Sequence, residues 1–112
     1  MADIQKIDSV SGLDELLEGA KDRQVWIFKH SLTCPISGAA WAEFRRFATD
    51  QPQEDGTVFA VIEIQYARPV SNALAERTGV RHQSPQAILL REGRVSWHAS
   101  HYDIDATSLQ RA

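Results

Sequence analysis

Residues 26–41, WIFKHSLTCPISGAAW, constrain the fold of this chain more than any other stretch. Val25, Trp26, Ile27 and Phe28 run without a polar break. Continuous apolarity predicts a strand over Val25–His30 buried on both faces, as in a parallel sheet covered by helices. Residues 31–33 read as a turn. From Pro35 the apolar period becomes helical, with Ile36, Ala39, Ala40, Phe44, Phe47 and Ala48 on one broad face. Pro35 suits a first helical position, since the N–H it lacks would be unpaired there. Gly38 weakens the first turn a little or admits a close approach. The only cysteine, Cys34, thus stands at a strand-to-helix junction. A helix start presents unpaired amides and partial positive charge. The amides of Ile36 and Ser37 are expected to face the sulfur and favour the reactive thiolate. The competing reading of a lone cysteine, an inert buried small side chain, is weakened by this position.

The rest of the chain builds around that junction. Residues 3–10 are a short strand or a docking arm. Residues 11–20 carry Leu13, Leu16, Leu17 and Ala20 at helical spacing, with Ser11 as the expected cap. The DQPQEDG segment, residues 50–56, stops the second helix, and TVFAVIEI, residues 57–64, is the second buried strand. Strand, helix, strand at this spacing is a right-handed βαβ unit with parallel strands. A loop follows, then a helix from Pro69 to Thr78 closed by Gly79. Residues 86–90 and 95–99 form a hairpin around Arg91-Glu92-Gly93-Arg94. Residues 103–112 form a last helix capped by Asp105. The order α-β-α-β-α-β-β-α predicts an α/β domain over residues 1–112, a four-stranded mixed sheet flanked by helices.

Strand directions select the candidate site. Ligands of open α/β sheets bind beyond the carboxyl ends of strands. If residues 86–90 run antiparallel to the central pair, Cys34, Arg68, Ser84, Pro85, His98, Ser100 and His101 emerge at one edge. His30 could pair with the thiolate or be an ordinary strand-end histidine. Lys29 reads as solvated. Pro85 either starts a strand or forms a cis bond with Ser84, held where a substrate backbone pairs with Ser84. Arg68 could grip a carboxylate with its planar fork or be a plain surface arginine.

Other chemistries fit poorly. The net charge of −3 gives no nucleic-acid footprint. One cysteine, with His98 and His101 the only close histidine pair, cannot supply a structural zinc site. No Gly-rich loop follows a strand, and Ala40 stands where a C-x5-R phosphatase loop needs arginine. A serine-protease triad has no support. A single cysteine suggests a reducing compartment. No apolar run of signal-peptide or membrane-span type is present, so the chain reads as cytoplasmic.

A strand–helix–strand unit with a cysteine at its turn, then helix, proline and hairpin, resembles the thioredoxin fold. TCPIS, residues 33–37, occupies the place of that superfamily's C-x-x-C. FKHSLTCPIS (28–37), ARPVSNALAERTGVRHQSPQAILL (67–90) and WHASHYDI (97–104) resemble the YtxJ family, the monothiol bacilliredoxins. The resemblance implies Cys34 as nucleophile, Pro85 as the superfamily's cis-proline, and removal of bacillithiol from mixed disulfides on proteins. Bacillithiol would be a co-substrate, with no bound cofactor. Thr33, Pro35 and Ser37 would support Cys34, and Arg68, Ser84, Ser100 and His101 are candidates for a hydrogen-bonding rim around the small thiol's malate group. Thioredoxins carry a buried acid six residues before the nucleophile, where Phe28 stands here. That acid serves a resolving thiol, and Ser37 replaces the thiol. Two alternatives remain: an iron–sulfur cluster held as in monothiol glutaredoxins, or a redox adaptor without turnover. Pro35 and Ile36 in place of Gly-Phe make the first a poor match to the glutaredoxin loop.

Overall fold

The computed structural model describes residues 3–50 and 56–112. Its strands are β1 (Ile4–Lys6), β2 (Val25–His30), β3 (Val58–Glu63), β4 (Gln86–Arg91) and β5 (Arg94–Ser100). Its helices are α1 (Val10–Gly19), α2 (Pro35–Asp50), α3 (Arg68–Thr78) and α4 (Ala106–Arg111), with a 3₁₀ turn at His101–Asp103. The sheet order is β1-β3-β2-β4-β5. β1 and β2 both run parallel to β3, and β4 and β5 follow as an antiparallel hairpin.

Alternation along β2 sorts the core into two halves. Val25 and Ile27 join Leu13 of α1 and Val70 and Leu74 of α3 on one side. Trp26 and Phe28 meet Phe44 and Phe47 of α2 and Leu109 of α4 on the other. The second half is largely aromatic, with Trp26 edge-on to Phe47 at 5.1 Å and to Trp97 at 5.6 Å. Full burial of a large apolar side chain stabilises by about 1.5–3 kcal/mol, and the central strands β2, β3 and β4 are sealed on both faces as their apolar runs require.

Four details depart from the sequence expectation. The sheet has five strands, not four, because Ile4–Lys6 pairs with β3 from Ile4 opposite Phe59 to Lys6 opposite Val61. Of the two readings of residues 3–10, strand or docking arm, the strand is the one formed, over three residues with only Ile4 partly buried. The cap of α1 is Ser9, not Ser11: Ser9 accepts from the Gly12 amide at 3.0 Å. Ala39 is exposed, and the buried face of α2 is Ser37, Ala40, Phe44, Phe47 and Ala48. The last helix begins at Ala106, after the separate 3₁₀ turn, with the expected Asp105 cap closed into a box by Ser108. The helix stop expected within residues 50–56 falls mainly on 51–55, outside the described residues; α2 is described to Asp50. Gly79 closes α3 in the left-handed conformation (φ 74°), as glycine at a helix end permits.

Candidate functional site

Cys34 occupies the junction between β2 and α2. Its carbonyl accepts the Gly38 amide at 3.0 Å, the first bond of the helix, and its own amide donates to Ser31 at 3.4 Å. The residue is half-buried. Pro35 is exposed and is the first residue of α2, as expected. The Cys34 carbonyl and the Ser37 side chain organise this turn.

Ser37 is fully buried beneath the turn. Its hydroxyl oxygen accepts from the Ser31 amide at 2.8 Å and lies 2.8 Å from His30 Nδ1. With one lone pair used by Ser31, the Ser37 O–H is free to donate to Nδ1, which leaves Nε2 as the protonated ring nitrogen of a neutral His30. Burial pushes the His30 pKa down, opposed more weakly by the Glu63 carboxylate. His30 therefore pairs with Ser37 and stacks on Trp41 at 5.3 Å; of its two readings, it is the hydrogen-bonded strand-end histidine. His30 follows Phe28 on the α2 face of the strand, so its ring packs over α2.

Lys29, expected to be solvated, is fully buried. It alternates onto the α3 face, where its ammonium donates to the Ser71 carbonyl at 3.1 Å and meets His82 Nδ1 at 3.2 Å. Desolvation lowers its pKa from 10.5 to about 8.

Gln65, which sequence reading passed over, splints the turn from the opposite side. Its Oε1 accepts from the Leu32 amide at 3.0 Å, and its Nε2 donates to Ser31 Oγ at 2.9 Å and to exposed Thr33 Oγ1 at 3.4 Å. A loop glutamine carries no periodicity, and nothing in the sequence joins it to residues more than thirty positions earlier.

The hairpin brings the other candidates to the same edge. Gln86 lies opposite Lys29 near the carboxyl end of β2, and Ser100 lies opposite Gln86. The buried Pro85 follows a cis Ser84–Pro85 bond, and its carbonyl accepts from the His101 amide at 3.1 Å. Ser84 Oγ is buried with no hydrogen-bond partner. Ser84, Pro85, Ser100 and His101 are thus gathered together. His98 is not with them: it pairs with Ile88, two residues back along β5. Arg68 is exposed at the first residue of α3. The exposed large apolar residues Leu32, Tyr66 and Tyr102 all sit in the loops of this edge, a surface that loop residues without pattern could not announce.

A half-buried cysteine at a βαβ junction, with a cis-proline at the same edge of the sheet, can be compared with known proteins. Residues 5–109 match the family model described as monothiol bacilliredoxin BrxC. The chain belongs to the monothiol bacilliredoxin BrxC family. It is similar to a solved structure described as a thioredoxin-fold protein of inferred oxidoreductase activity, with 30% identity, TM-score 0.83, and 96% of this chain and 91% of that one covered. Thioredoxin from Malassezia sympodialis shares the fold at 19% identity and TM-score 0.74, over 99% of this chain and 88% of that one. Fasciola hepatica thioredoxin does so at 15% identity and TM-score 0.72, over 96% and 94%. As a bacilliredoxin family member with this fold, the chain is a thiol–disulfide oxidoreductase. No helix among the described residues is long and apolar enough to cross a membrane.

Proposed function

We propose that the protein removes bacillithiol from protein mixed disulfides by a monothiol mechanism centred on Cys34. The observation that carries the monothiol reading is Ser37. It stands three residues after Cys34, fully buried and hydrogen-bonded, in a chain with no second cysteine. The family description supports bacillithiol as the small thiol.

The Cys34 thiolate attacks the bacillithiol sulfur of the mixed disulfide. A new Cys34–bacillithiol disulfide forms, the original bond breaks, and the protein leaves as its thiolate. Ser37 cannot attack the new disulfide, so an external thiolate must, releasing Cys34 and carrying bacillithiol away as a second disulfide. Ser84 and Pro85 receive the substrate segment beside the reacting sulfur. Arg68, Ser100 and His101 form the polar rim that meets the malate carboxylates, with arginine suited to a bidentate contact. Thr33 and Pro35 shape the approach to sulfur. The partners are S-bacillithiolated proteins in a reducing cytoplasm.

Intact-mass spectrometry tests this directly. Reduced protein is mixed with a substrate protein bearing either bacillithiol or glutathione on one cysteine. The expected result is the bacillithiol adduct on Cys34 with reduced substrate released. Equal transfer from glutathione would keep the exchange chemistry and remove the case for a dedicated bacillithiol site. No adduct from either, with Cys34 confirmed as reduced, would overturn the transfer reading.

A further inference from the structure

Lys29 is a charged residue sealed beneath α3, and the exchange reaction as described gives it no part. Removing an ammonium from water is costly, and neutral side chains could tie a strand to a helix without that cost. Its partners indicate what it accomplishes. One N–H reaches the Ser71 carbonyl on α3, and another meets His82 Nδ1. Ser71 Oγ lies 3.1 Å from that same nitrogen. An ammonium can only donate, so Nδ1 is the acceptor and His82 is neutral. Desolvation holds the His82 pKa down, and the nearby positive charges of Lys29 and Arg68 lower it further. Beside Lys29 across the β2–β4 register, buried Gln86 donates from Nε2 to the Arg81 carbonyl at 3.0 Å.

Residues 81–84 belong to no helix or strand, and these contacts hold two consecutive positions, 81 and 82. Ser84 follows directly, and its successor Pro85 is fixed by its own bond to His101. The segment that carries Ser84 is therefore anchored at residue 82 by β2, the strand that also leads to Cys34, and at residue 81 by β4. We propose that Lys29 is a positioning residue for the exchange reaction: its buried ammonium holds residues 81–84, through His82, so that Ser84 meets the incoming substrate segment in register with Cys34. This rests on the docking role given to Ser84 above.

The test uses Lys29→Met, which keeps length and removes charge, and His82→Ala, which removes the loop's acceptor at an exposed residue and leaves Lys29 bonded to Ser71. Lys29→Met removes the cost of a desolvated ammonium and leaves the acceptor nitrogen of exposed His82 to water, so the variant is expected to fold. Four quantities are measured for each: KM and kcat for bacillithiol removal from the protein substrate, the rate of Cys34 alkylation by iodoacetamide, and amide hydrogen exchange over residues 81–84. A misplacement of about 1 Å can lower rates by up to about a hundredfold. The expected result is a KM raised about tenfold in each variant, no further loss in the double variant, and faster exchange at 81–84, with alkylation unchanged. Wild-type KM and exchange in Lys29→Met would overturn the proposal. So would alkylation falling in step with transfer, since Lys29 would then act on the sulfur. An inactive wild-type protein would sink the proposed function itself, a failure read from the wild type alone and separate from either variant result.

Discussion

At the scale of single residues, the site separates reactivity from support. Cys34→Ser removes the only sulfur able to hold the transferred thiol, so bacillithiol transfer in the intact-mass assay is expected to vanish. Ser37 does something different. Removing its hydroxyl strands the Ser31 amide and His30 Nδ1 in a buried turn. An unsatisfied buried group costs about 1–3 kcal/mol, so Ser37→Ala should lower the urea midpoint by that equivalent. Most transfer should survive, because no step routes a proton or a bond through Ser37. Complete loss of transfer in a folded Ser37→Ala protein would give that hydroxyl an essential chemical role.

At the scale of elements, the site depends on how loops are tied to the sheet. The turn between β2 and α2 is held on one side by Ser37 and on the other by Gln65 from the β3–α3 loop. Gln65→Ala is expected to slow transfer several-fold while leaving thermal stability nearly unchanged, since exposed loop contacts add little to folding. Wild-type transfer in this variant would show that Ser37 alone fixes the turn. The short α4 offers a contrasting case. Its cap, Asp105, accepts from the Ser108 amide at 2.8 Å, and Leu109 behind it enters the aromatic half of the core. Asp105→Ala should cost about 1 kcal/mol by losing that cap, measurable as a lower Tm, with Cys34 alkylation unaffected.

Across the whole molecule, three bases, buried Lys29 and His30 and exposed His82, make stability depend on pH. Lys29 has a folded pKa of about 8 against an ordinary 10.5. Between those values the unfolded chain binds the extra proton, so stability rises with pH through that window. The rise attributable to Lys29 is about 3 kcal/mol at most, and urea unfolding at pH 8 and above should show it flattened in Lys29→Met. His30 and His82 are both lowered from 6.5, chiefly by desolvation. Here too the unfolded chain binds more protons, so stability falls as pH drops below about 6.5. Acid titration of the unfolding midpoint would show whether that loss is present.

The sequence by itself determined the parallel βαβ unit, the hairpin, the helix from Pro35 and the place of Cys34 at its start. Those features rest on periodicity, proline and glycine chemistry, and chain direction, all of which act over a few residues. Tertiary structure decided which groups meet. Ser37, His30 and Ser31 are close in sequence, but only the fold of the turn puts the hydroxyl between the other two. Lys29 looked like a surface residue because charge usually means solvent; sheet alternation placed it under α3, where Ser71 and His82 could satisfy it. Gln65 was silent, and residues 3–10 read as either a strand or an arm, because their partners lie far along the chain. Contacts of that kind are set by packing geometry, and a linear pattern of residue types does not encode which distant group will stand opposite.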